Sequence, residues 1–185
     1  MVPLMSLWIP ILLSAVIVFI ASSVIHMLLK YHQGDFRAVP SEDSVREALG
    51  GANLPPGDYH VPYAASAKAM SDPEWIEKAT QGPNLILTVM PNGIPAMGKY
   101  LVQWFIYCII IGIFAAYVAG HAVQPGEDYL VAFRYVGTVA FVGYALGLPQ
   151  NSIWYHKNRG ATIKSMFDGL LYALLTAGVF GWLWP

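Results

Sequence analysis

Four uninterrupted apolar runs dominate the chain, at approximately Met5 to Leu29, Leu101 to Gly120, Tyr129 to Leu148 and Ile163 to Trp184. A hydrocarbon layer about 30 Å thick takes roughly 20 helical residues to cross, and each run is near that length. Lipid offers the backbone no hydrogen-bond partner, so a crossing segment bonds to itself as a helix or closes into a barrel. These runs are continuously apolar rather than alternating, which selects the helix. The expected fold class is an all-α membrane protein with four transmembrane helices and a small loop-rich, partly helical segment between the first two. Residues 1–30 hold the first helix, 31–98 the loop-rich segment and 99–185 a bundle of the other three.

Composition agrees, since charged residues make up 11% of the 185 and hydrophobic ones 56%, against about a quarter charged in a soluble domain. A net charge of −1 lacks the clustered cations that phosphate binding needs, so nucleic acid is not an expected partner. The single cysteine, Cys108, excludes an internal disulfide framework and a cysteine-based zinc cluster.

Nine of the ten Lys and Arg fall between the first and second runs or around the connection between the third and fourth. The positive-inside rule assigns that side to the cytoplasm and both termini to the outside, with a bacterial inner membrane as the expected location. Cleavage of the first run as a signal peptide fits less well, because it lacks a basic n-region and is too long for an ordinary h-region.

Helices in lipid associate through close backbone approach, which favours small residues four apart. The second run offers Gly112, Ala116 and Gly120; the third, Gly143 and Gly147; the fourth, Gly169, Ala173, Ala177 and Gly181. The first run contains no glycine, which predicts a tight bundle of runs two to four with the first helix peripheral. The fourth run also carries a polar stripe at successive i+4 positions, Lys164, Asp168, Tyr172 and Thr176.

Residues 31–98 change character, with eight acidic residues against four basic ones and many Pro and Gly. Ser41 ahead of Glu42 to Leu49, and a Ser71/Glu74 capping box, predict two short helices. Tyr59 to Tyr63 and Leu85 to Val89 read as extended, and Pro91-Asn92-Gly93 as a turn. Net negative charge disfavours a polybasic lipid anchor and favours a protein partner.

No phosphate loop, His-Glu-x-x-His, Cys-x-x-Cys or nucleophile elbow is present. Two polar groupings remain. His26, Gln103, Lys164 and Asp168 form an expected intramembrane cluster on the inner side, and His121, Glu127, Asp128 and Arg134 an outer one. No cofactor is predicted, although His26 can offer one ligand to a pigment or metal. His26 and His121 fall at opposite ends, so they do not suit a shared haem. His32, His60 and His156 read as surface residues.

These features predict an accessory or scaffold subunit without catalytic activity, surrounded by lipid and attached to a membrane-protein partner or to further copies of itself. The alternative is a small ion- or proton-coupled transporter using Asp168, His26 and Arg134. A membrane enzyme or a single-histidine pigment or metal binder is the third expectation.

Overall fold

Long runs of Leu, Ile, Val and Ala propagate as helix because every backbone group is satisfied within the segment. The computed structural model, which describes residues 1–185, contains in chain order α1 (Leu4–Leu28), α2 (Glu42–Gly51), β1 (Gly57–Val61), α3 (Pro73–Gln81), β2 (Leu85–Val89), α4 (Met97–Ala122), α5 (Tyr129–Trp154) and α6 (Arg159–Trp182). Helices α1, α4, α5 and α6 are each long and apolar enough to cross a membrane. Helix α1 opens with a 3-10 turn at Leu4–Leu7 and becomes α-helical at Trp8, so Pro10 falls in the first α turn, where proline is tolerated.

The chain divides into a unit of Met1–Phe36 with Ala96–Pro185 and a second unit, Arg37–Pro95. In the first, α1 packs against α4 and α6, and α5 packs against the same two helices, so the four form a closed ring. The first helix is therefore not peripheral: Leu7, Ile11, Ser14, Ala15, Val18 and Ser22 are all buried. Close approach needs a small residue on one side only, and α4 supplies it. A Cβ on Gly112 would meet Ile11 at 3.4 Å, and one on Gly120 would meet the Val2 carbonyl oxygen at 2.7 Å.

The other small residues do similar work. Gly143 faces the Ile111 side chain, Gly169 lies against the Tyr144 carbonyl and Ala145, and Gly181 lies under the Tyr129 ring. Ala116, Ala173 and Ala177 are buried.

Gly147 differs, since a Cβ there would meet only open space. The cause is a wide π turn at Val142–Leu146. One extra residue in that turn puts later positions out of step with the buried row Ala132, Val136 and Ala140. The Tyr107 hydroxyl donates to the Gly143 carbonyl there at 2.7 Å. A second π turn ends α1 at Val24–Leu28.

Two hydrophobic clusters fill the bundle. One, around Leu7, Ala115, Ala119, Val136, Ala177 and Phe180, lies at the end that holds the chain termini. The other, around Val18, Cys108, Ala140, Tyr144 and Tyr172, lies towards the opposite end. On α6 the polar stripe faces inwards, with Asp168, Tyr172 and Thr176 all buried. Val179 on the same helix is buried as well.

In Arg37–Pro95, β1 and β2 pair antiparallel with Tyr59 opposite Leu87, adding a small two-stranded sheet to the otherwise helical chain. The cap of α3 is Asp72 rather than Ser71: its carboxylate accepts from the Glu74 N–H at 2.9 Å, and Pro73 occupies the first helical position. Helix α2 starts after Ser41 without a side-chain cap and runs through Gly50 to Gly51. Gly93, within the expected turn, takes a φ of 109°, the left-handed region that glycine tolerates.

Candidate functional site

The polar stripe of α6 ends beside the segment that follows α1. After the π turn the chain leaves α1 at Leu29 in an extended conformation, then forms a short 3-10 turn at Lys30–His32. This reversal lays Tyr31, His32 and Asp35 against α6. The Tyr31 hydroxyl donates to Asp168 Oδ1, and His32 Nε2 lies 2.7 Å from Asp168 Oδ2. His32 Nδ1 lies 2.6 Å from Asp35 Oδ2. Lys164 Nζ donates to Asp35 Oδ1 at 2.8 Å and to the Tyr31 carbonyl at 2.6 Å.

An unbroken chain of polar contacts thus runs from Lys164 through Asp35 and His32 to Asp168 and Tyr31. Asp168 is 3% exposed, so its carboxylate depends on these partners rather than on water. The hydrogen bond from Lys164, and after it that from His32, hold the Asp35 carboxyl below the usual carboxylate range. Asp35 also borders a cleft of about 430 Å³, together with Asn151, Lys157 and Asn158.

His26 is exposed and joins through its ring, whose centroid is 4.7 Å from that of His32. One ligand atom from each of His26, His32 and Asp168 can be chosen so that all three lie within 4.8 Å of one another. Behind this group sits an aromatic floor. Trp104 packs with Tyr107, Tyr144 and Tyr172, and its indole N–H donates to Ser22 Oγ at 2.8 Å. Trp104 is half-buried. The Tyr172 hydroxyl, one turn from Asp168, is buried without a hydrogen-bond partner.

Of the inner-side residues expected from the sequence, His26, Lys164 and Asp168 come together, while Gln103 is exposed and makes no side-chain hydrogen bond. Lys164 pairs with Asp35 rather than with Asp168 one turn along its own helix. Tyr31 and Asp35 are not singled out by any motif, and His32, expected at the surface, is instead largely buried between Asp35 and Asp168. The one signal in the sequence is a His and an Asp three apart, directly after the end of an apolar run.

The outer-side residues do not assemble. His121 bonds through Nδ1 to the Tyr117 carbonyl in its own helix at 2.7 Å, Glu127 and Asp128 are exposed, and Arg134 is exposed without an ion pair. Gly137 meets Ala177 and Gly169 meets Ala145, which fixes the depth of α5 against α6. Arg134 consequently lies about twelve residues, or roughly 18 Å, along the bundle from Asp168.

Compared with protein-family profiles, with curated proteins and with solved structures, the chain matches none.

Proposed function

We propose that this chain is an accessory or scaffold subunit that packs within a larger membrane complex or homo-oligomer and has no catalytic activity of its own. The observation that carries this reading is the Arg37–Pro95 unit. It contains no fully buried residue, yet Ile94, Tyr63 and Met90 stand 99%, 73% and 71% exposed. A unit so small gains little stability from its own interior and is completed by a partner. Apolar exposure at this density marks a protein contact. Its acidic balance favours a protein over an anionic lipid surface.

In this reading the membrane is a bacterial inner membrane, the termini face outwards, and residues 31–98 meet their partner in the cytoplasm. The cation distribution supports that orientation. The transporter reading is weaker, because Arg134 stands apart from Asp168 and His26 on an exposed face of α5.

The test is purification of the full chain from its native membrane in mild detergent, with a photo-crosslinking residue at position 94. The expected result is a particle larger than one 20.3 kDa chain, with crosslinks from that position to a partner protein or a second copy. A monomer that crosslinks to nothing would overturn the proposal.

A further inference from the structure

His32 stands between two carboxylates, with Nδ1 on Asp35 and Nε2 on Asp168, at 2.6 and 2.7 Å. A neutral imidazole has one N–H and can satisfy one of them. Asp35 also receives Lys164, so the contact short of positive charge is the one between Nε2 and the buried Asp168. His26 adds a second imidazole beside that contact. An N–H on Nδ1 directed at Asp35 leaves the Nε2 lone pair facing Asp168 and His26. A carboxylate that fixes the tautomer of a histidine in this way is the usual outer partner of a metal-ligating imidazole.

We propose that His26, His32 and Asp168 bind a divalent transition metal of the zinc type. Asp35 and Lys164 orient His32, and the Tyr31 hydroxyl steadies the carboxylate. Two imidazoles and a carboxylate suit zinc and its neighbours and do not suit calcium or magnesium, which prefer all-oxygen sets. Three protein donors leave a fourth position for water or another ligand. Bonds of about 2.0–2.2 Å at tetrahedral angles separate donor atoms by about 3.4 Å. Binding therefore opens the direct His32–Asp168 contact by well under an ångström and draws in the exposed His26 ring. This inference is independent of the assembly reading, since every residue in it lies in the bundle unit.

The test uses the full-length chain in detergent, stripped with a chelator and titrated with Co²⁺ as the spectroscopic probe and Zn²⁺ as the competitor. One equivalent of cobalt is expected, with the intense visible bands of a four-coordinate ion that Zn²⁺ bleaches. His26 makes no hydrogen bond, so H26A retains the fold and is expected to weaken cobalt binding at least tenfold. H32A and D168N are expected to abolish the bands, with helicity checked by circular dichroism. Absence of saturable uptake by the parent chain, which would leave a proton as the occupant of the contact, would overturn the proposal. So would uptake that H26A and H32A leave unchanged.

Discussion

At the end of the bundle that holds the termini, backbone meets backbone. The Val2 N–H donates to the Gly120 carbonyl at 2.8 Å, and the Gly126 N–H donates to the Pro185 carbonyl at 2.7 Å. Small residues let these segments approach. At the opposite end, closure is made by the side chains of Tyr31, His32, Asp35, Lys164 and Asp168. Backbone closure is insensitive to proton or ion supply, whereas the side-chain closure depends on charge. A bundle built this way is fixed at one end and responsive at the other.

The largest effect should come from Asp168→Ala. Removing one partner of a buried charged network costs about 3–5 kcal/mol, because the groups left behind lose their hydrogen bonds. Detergent-solubilised chain unfolded by heat or denaturant, followed by tryptophan fluorescence, reads this loss. A cost as small as that of a surface substitution would erase the contrast between the ends.

Next in size is Gly169→Ala, where the new Cβ would stand 3.0 Å from the Tyr144 carbonyl oxygen. Overpacking against backbone costs about 1–3 kcal/mol. The paired control is Gly147→Ala, which meets nothing and should change stability by no more than about 0.5 kcal/mol. Equal effects at the two glycines in the same unfolding assay would show that the phase shift in α5 is misplaced.

Ser22→Ala removes the acceptor of the Trp104 indole N–H and should cost about 1 kcal/mol, with a shift in Trp104 emission separating it from a general loss of packing. Smallest is Arg134→Gln, which breaks no ion pair and should stay within about 0.5 kcal/mol of the parent. A large loss there in thermal unfolding would mean that this face of α5 is engaged.

The four apolar helices were legible because span length and continuous hydrophobicity are local properties. Asp168, Lys164 and the inward stripe were legible too, since i+4 spacing fixes a helix face. What could not be read was the chain reversal after Leu29. It brings His32 to Asp168 across 136 positions of sequence, and no periodicity encodes such a meeting. The place of α1 is illegible for a related reason: its contacts rely on Gly112 and Gly120 of another helix, so its own composition says nothing about them. A packing contact at Gly147 follows only from a regular helical repeat, which the π turn at Val142–Leu146 interrupts.

That turn makes the third helix sensitive to length rather than to chemistry. Deleting a single codon within it would rewind the stretch as ordinary α-helix and rotate everything downstream by about 100°. Gly147 would swing towards the core, and Tyr144, when the deletion precedes it, would turn away from Trp104, Tyr107 and Tyr172. A frame-preserving deletion of one residue would therefore do more harm at this end than most point substitutions, although no polar contact is touched directly.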